Sequence, residues 1–359
     1  MRKYIVYTLI YIIACMTTLT FGACADVDLC ENHDGSHNAI VRYSYKWEAR
    51  QNASRAANDT IFPSKMYAIA HRVVNDWRRV DTLSTASASD TITIRPGEYR
   101  FFTVPMAHNA IDMSEIKGFL DQTAKGNSLH DKHLNYTLYS REQLKNVPTD
   151  WTDENPYAQY IMADAEPFYY DETELIQNFG GLTVVEFKPK DITQLINLSL
   201  RINKDQSERA FAITAVYAEL AGIPVSMTIG NRYVSMDKTA KVIIPMKANV
   251  ANNAAAAASS DLPAGEYVGK ILVPTVLNST SADETTGAGI MQLIVCITTT
   301  DENGTPVKRT LHKKVNLYNT LASAHLTTFA EDDEQIISNG ESGNIRINQQ
   351  FVLTAQEIK

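Results

Sequence analysis

The chain has 359 residues, and its 41 acidic side chains against 33 lysines and arginines give a net charge of −8. An acidic chain without a basic block is a poor binder of nucleic acid or of an anionic membrane surface. At this length the chain is long for one small domain and comfortable for two.

Met1-Arg2-Lys3 is a short basic start. The apolar run Tyr4 to Ala14 follows, and then a milder segment ending in Leu19-Thr20-Phe21-Gly22-Ala23-Cys24. This is the layout of a secretory signal whose apolar stretch is too short to span a bilayer. Gly22-Ala23-Cys24 is also the small-small-Cys end of a bacterial lipobox. On that reading residues 1–23 are removed, and Cys24 becomes the N-terminus and carries palmitate-type acyl chains. Loss of Arg2 and Lys3 takes the net charge from −8 to −10. A plain secretory signal cut after Ala23, and acylation at Cys15, are the alternatives. The acidic Ala25-Asp26-Val27-Asp28 resembles the signal that exports lipoproteins of Gram-negative anaerobes to the outer face of the outer membrane. More than one acyl chain is what stable anchoring requires. Residues 24–37 read as a linker behind this anchor, and no later stretch approaches the length of a transmembrane helix.

Strand patterns dominate the rest. Val41, Tyr43, Tyr45 and Trp47 alternate with Arg42, Ser44, Lys46 and Glu48, the period of a half-buried strand. Met66 to Ala70, extending toward Asn75, and Thr91 to Ile94 read as further strands. Arg95-Pro96-Gly97-Glu98 reads as a turn and Tyr99 to Val104 as the strand it opens. The polar stretch 109–160, with a helical candidate at Met113 to Leu120, reads as a partly helical insertion. Leu182 to Phe187 returns to strand, and Lys188-Pro189-Lys190-Asp191 reads as a domain junction.

In the second half Ile196, Leu198, Leu200 and Ile202 share a strand face. Phe211 to Leu220 is strand or short helix, Gly222-Ile223-Pro224 is a turn, and Lys241 to Met246 is a strand. Pro263-Ala264-Gly265-Glu266-Tyr267 nearly repeats Pro96-Gly97-Glu98-Tyr99, and each opens a strand that runs to Val-Pro. That pairing predicts two sandwich-like units of similar plan in tandem. Ile290 to Thr298 and Val307 to Leu317 form a hairpin around Asp301-Glu302-Asn303-Gly304. Ile345, Ile347, Gln349, Phe351 and Leu353 alternate in a last strand. Many short strands between turn signals in an exported chain define an all-β architecture of two sandwiches: residues 38–190 and 191–359.

Motifs that would carry chemistry are weak. Cys30, His33 and His37 lack a fourth zinc ligand and read as linker. His130 and His133 flank Asp131 without a visible partner. Asp164, Glu166, Asp171, Glu172 and Glu174 lack the spacing of a calcium loop. Cys30 and Cys296 could pair though far apart in sequence, but Cys296 lies in an apolar run and reads as a free core thiol. Trp47 reads as core, and Trp151 is the better candidate for a sugar platform. Asp59-Thr60-Ile61, Asp81-Thr82-Leu83 and Asp90-Thr91-Ile92 resemble the O-glycosylation acceptor of the same anaerobes. The expectation is a non-enzymatic protein without metal or cofactor.

Several segments together resemble the anchor and accessory lipoprotein subunits of type V pili, related to the fimbrillin family. They are Asp28-Leu29-Cys30 with His33 and His37, Ile40 to Trp47, Pro96-Gly97-Glu98-Tyr99, Ile192-Thr193-Gln194, and Ala218-Glu219-Leu220-Ala221-Gly222-Ile223-Pro224. The 109–160 insertion departs from the family's usual form. The resemblance implies two transthyretin-like β-sandwiches, an outer-membrane tether at Cys24, pilin subunits as partners, and assembly by strand donation in support of cell adhesion to a host or bacterial surface ligand. Ile345, Ile347, Phe351 and Leu353 are the candidate donor face, and an ordinary last strand is the alternative for them. Arg42, Arg50 and Arg55 are candidate trypsin-like cut sites, so a stalk role stays open. A surface glycan-binding lipoprotein for nutrient capture is the runner-up, and a surface hydrolase a third reading.

Overall fold

The computed structural model describes residues 38–47, 63–74, 76–84, 90–121, 128–144, 147, 159–204, 211–249, 264–329, 336–338 and 343–353. Its first part holds β1 (Ala39–Tyr45), β2 (Lys65–Arg72), β3 (Trp77–Ser84), β4 (Asp90–Ile94) and β5 (Gly97–Pro105). A connecting segment follows with β6 (Ile111–Asp112), helix α1 (Ser114–Leu120), β7 (His133–Tyr136), a 3₁₀ turn at Arg141–Gln143, and β8 (Tyr160–Ile161). Next come β9 (Tyr169–Glu172), β10 (Ile176–Asn178), β11 (Gly181–Phe187) and β12 (Lys190–Asp191).

The second part opens with β13 (Gln194–Lys204), β14 (Ala212–Pro224), β15 (Ser226–Thr228), β16 (Tyr233–Val234), β17 (Thr239–Pro245), β18 (Lys247–Ala248) and β19 (Gly265–Val273). It closes with β20 (Ile290–Thr300), β21 (Pro306–Asn316), helix α2 (Tyr318–Ala324), β22 (Thr327–Phe329), β23 (Ile336–Ser338) and β24 (Gly343–Leu353).

Two sandwiches share one plan. In the first, a sheet β11-β1-β4 faces a larger sheet β12-β9-β5-β2-β3, with β10 also paired to β5. In the second, β18-β19-β13-β24 faces β21-β20-β14-β17-β8. Among the described residues, and with β9 and β10 together as one sixth strand, both units have seven principal strands in the same arrangement. The seventh runs parallel to the first, as β11 to β1 and β24 to β13. The fourth is antiparallel to the first on its other side. The second pairs with the third and the fifth, and the fifth with the sixth.

The alternation in β1 works as its pattern requires: Ala39, Val41 and Tyr43 are buried while Ile40 faces outward. They join Ala68, Ala70, Tyr99, Phe101, Val185 and Phe187 in the core between the first pair of sheets. From Phe101 to Pro105 strand β5 is buried on both faces, which accounts for Phe101, Phe102 and Val104 in near succession, with the buried Thr103 hydroxyl bonded to the Tyr67 carbonyl. Phe102 and Val104 point away from the first core into a larger one that continues through the second sandwich.

The tandem plan agrees with expectation, but the paired turns do not mark equivalent places. Gly97 and Gly265 each open a strand, and Tyr99 and Tyr267 are both fully buried. Yet β5 is the fifth strand of its unit and β19 the fourth, and they belong to opposite kinds of sheet. Gly222 is not in a turn either. It lies inside β14 at φ +91°, where pairing with β17 shifts register between Ala221 and Ile223. This is a β-bulge. Cys296 is half-buried, because alternation sends Val295 and Ile297 into the core and Cys296 to the opposite face.

The 109–160 stretch is less helical than expected. Among its described residues it holds one seven-residue helix and the 3₁₀ turn. Strand β7 pairs with β15, and β8 runs parallel to β17, so part of this first-half segment completes sheets of the second half. A fifth, auxiliary sheet β22-β23-β16-β15-β7-β6 is assembled from three short excursions of the chain.

Candidate functional site

The proposed tether, Cys24, lies outside the described residues, as do Cys30, His33, His37, Arg50, Arg55, Asp59 and Trp151. The candidate donor face is described. Ile345, Ile347, Phe351 and Leu353 are all buried, at 0%, 6%, 1% and 6% exposure, inside the chain's own second sandwich. Strand β24 pairs with β13 from Ile196↔Gly343 to Lys204↔Leu353, with an irregularity between Ser199 and Arg201. It therefore fills the seventh-strand place that β11 fills in the first unit. Arg346 and Val352 point outward.

Beside the end of β24 lies a cleft of about 300 Å³ between the two sheets. Its apolar lining comes from Leu293, Val295, Leu311, Phe351 and Leu353, with Lys313 also facing it. Strands β21 and β24 border it, and each is the last strand of its sheet among the described residues. Strand β21 is rich in cations: Lys308, Arg309, Lys313 and Lys314. Such charges are a usual way to blunt an exposed edge.

The corresponding corner of the first sandwich is filled by aromatic rings. Tyr45 stacks on Trp47 at 5.8 Å and on Phe187 at 5.6 Å, and Trp47 meets Tyr169 edge-on at 5.3 Å. Burial pushes the Tyr45 hydroxyl up to about 12, against the opposing effect of its 3.1 Å hydrogen bond with Thr103. The register partner Tyr45↔Phe187 has its counterpart in Lys204↔Leu353, where the lysine turns toward the Phe211 ring and its carbonyl. Trp47 is thus a packing residue of this corner.

Two polar clusters have no sequence motif. On the face of the larger second sheet, Lys241 Nζ lies 3.7 Å from Glu219 Oε1, and the Tyr160 hydroxyl donates to Glu219 Oε2 at 2.9 Å. The Lys241 ammonium also sits 4.5 Å from the centre of the Tyr160 ring. Tyr160 packs there with Ile243 and Ile294, and Leu144 and Val147 cover them. The second cluster holds α1 on the first sandwich. Arg78 Nη1 donates to the Phe119 carbonyl at 2.6 Å, its guanidinium lies 3.9 Å over the Phe119 ring, and Nη2 donates to Asp76 Oδ1 at 2.5 Å. His71 Nε2 lies 2.7 Å from the same Asp76 oxygen. Burial holds the His71 imidazole below its ordinary value despite that bond. For Asp76, burial works in the upward direction, but hydrogen bonds from His71 and Arg78 outweigh it and lower the carboxyl.

The remaining candidates are dispersed. His130 bonds Asn231 at 2.7 Å, and His133 lies 3.3 Å from the Ser226 hydroxyl. Asp171 accepts from the Lys188 amide and Glu172 from Arg100, while burial raises the Asp171 carboxyl. No three metal-ligating side chains converge among the described residues, and no described helix is long and apolar enough to cross a membrane.

The fold defines a tandem β-sandwich protein with an apolar cleft beside β21 and β24. No family model and no curated protein sequence matches the chain. Among solved structures it is similar to a candidate adhesin from Bacteroides ovatus, at 10% identity over 92% of this chain and 96% of the other, with a TM-score of 0.46. A candidate adhesin from Bacteroides thetaiotaomicron is 9% identical over 88% and 95%, at 0.44. The fimbrial anchor protein Mfa2 from Porphyromonas gingivalis is 12% identical over 84% and 98%, at 0.39. At these distances the similarity does not transfer a function.

Proposed function

We propose that this chain is a non-enzymatic fimbrial subunit of the cell surface, an anchor or accessory protein held in the outer membrane by acyl chains on Cys24. The observation that carries the reading is the apolar cleft between β21 and β24, the last strands of their sheets among the described residues. A terminal strand can take another chain's strand by backbone hydrogen bonding, and a neighbouring apolar cleft offers pockets for that strand's alternate side chains. The lipobox-like Gly22-Ala23-Cys24 supplies the tether, and the quoted motif segments supply the family likeness. Pilin subunits are the partners on this reading. Donation of β24 itself requires that strand to leave β13 and uncover Ile345, Ile347, Phe351 and Leu353.

The test is affinity isolation of the full chain from intact outer membranes, with identification of what accompanies it. Filament subunits are expected in the eluate. Recovery of the chain without them, together with oligosaccharide binding by the purified protein, would favour the glycan-capture alternative.

A further inference from the structure

We infer that both sandwiches are built to carry tension applied between the start of β1 and the end of β24, each through a shear clamp made by its first and seventh strands. The geometry follows from strand direction alone. Strands β1 and β11 are parallel over Ala39↔Gly181 to Tyr45↔Phe187. Pulling the start of β1 one way and the end of β11 the other slides the two strands along each other. Hydrogen bonds between them lie across the pull, so they are loaded together and must fail together. In a hairpin pulled at its open ends, the bonds break one at a time.

Three further features strengthen the first clamp. Strand β1 is central in its sheet, so it is also held by β4 from Ala39↔Ile94 to Tyr43↔Asp90. The Lys46 amide donates to the Phe187 carbonyl at 2.8 Å, which extends the pairing past the strand's end. Tyr43 and Tyr45 both stack on Phe187 at 5.6 Å, so sliding also disrupts ring packing.

The second sandwich repeats the device in series. Strand β13 enters it from the junction after β12 and is parallel to β24. It is central too, paired with β19 without interruption from Gln194↔Val273 to Ile202↔Gly265. Here the parallel clamp is divided by the irregularity between Ser199 and Arg201. Because the first and seventh strands bear the load in each unit, tension passes from one clamp to the next along the chain. The hairpin β20–β21, by contrast, ends in the exposed turn Asp301-Glu302-Asn303-Gly304, and among the described residues β21 is the last strand of its sheet. Tension between that turn and the chain's last residues bypasses the start of β13, so it lifts the end of β24 off β13 one step at a time, beginning at Lys204↔Leu353.

This property belongs to the fold and does not depend on the fimbrial reading. It is tested with the purified mature chain by single-molecule pulling in two directions. In the first, handles are fused before residue 24 and after residue 359. In the second, one handle is inserted in the 301–304 turn and the other is fused after residue 359. Forced rupture reports barrier height, and concerted failure of many backbone bonds predicts about two- to threefold higher force in the end-to-end direction at one loading rate. Equal forces in the two directions, or a lower end-to-end force, would overturn the inference. Matching thermal melts of the two handle designs establish that the insertion leaves the fold intact. The measurement contains no filament, so its failure and the failure of the fimbrial reading are separate results.

Discussion

Lys241 and Glu219 form an ion pair sealed from solvent, with Nζ and Oε1 3.7 Å apart and side-chain exposures of 0% and 2%. They sit on adjacent strands, β17 and β14, under the segment that carries Tyr160. A buried charge that loses its partner is much more costly than the pair is stabilising. Lys241→Met is therefore expected to cost about 3–5 kcal/mol, whereas Lys241→Met with Glu219→Leu recovers much of the loss. Urea unfolding of the two variants checks this. Equal losses in the single and double variants would show that the pair is not coupled.

The cluster that docks α1 predicts a pH dependence. His71 and Asp76 both have folded values below their ordinary 6.5 and 3.8. For both, the unfolded chain binds the proton more readily, so their contribution is complete above about pH 6.5 and is lost on acidification. The histidine's share goes first, as pH falls below 6.5, and the carboxylate's share goes below 3.8. Asp171, raised by burial, acts with the opposite sign and loses its contribution as pH rises through its folded value. Stability measured from pH 7 down to about pH 5 is expected to fall in the wild type and to stay flatter in His71→Gln. Parallel curves would remove His71 from the account.

Gly222 has two reasons to be glycine. Its φ is +91°, and a Cβ there would come within 2.8 Å of the Ala288 Cα. Backbone cannot yield as a flexible side chain can. Gly222→Ala is expected to destabilise the second sandwich by about 1–3 kcal/mol. A thermal melt unchanged from wild type would mean that the bulge relaxes freely.

Strand β24 supplies a test of where its apolar face belongs. Phe351 is 1% exposed within the chain's own core. If the strand holds its own sandwich together, Phe351→Ala costs the isolated protein about 3–5 kcal/mol. A strand committed to donation in trans predicts an isolated chain whose stability is indifferent to this change and a filament whose assembly is not.

Much of this architecture is legible in residue order. Long strands with one buried face show a period of two, so β1 and β13 stand out, and Asp301 and Gly304 mark the β20–β21 hairpin. Hydrogen bonds from the Asn303 and Thr305 amides to the Asp301 carboxylate explain that turn. The auxiliary sheet is not legible, because its strands β6 and β16 are two residues long and carry no period. The Lys241–Glu219 pair and the His71–Asp76–Arg78 cluster have no local signature, since their partners meet only through folding. The repeated Gly-Glu-Tyr turn pointed to the right tandem plan from non-equivalent strands. Such turns record a local need for a bend before an inward tyrosine, which can arise at either place.

The tether at Cys24 is the claim on which the proposed role depends. Its most direct test is labelled palmitate incorporation in cells producing the wild type or Cys24→Ala, with protease accessibility on intact cells. The account predicts that the wild type is labelled, retained in the outer membrane and accessible, while Cys24→Ala is unlabelled and lost from the membrane. Undiminished labelling and retention of Cys24→Ala would contradict it.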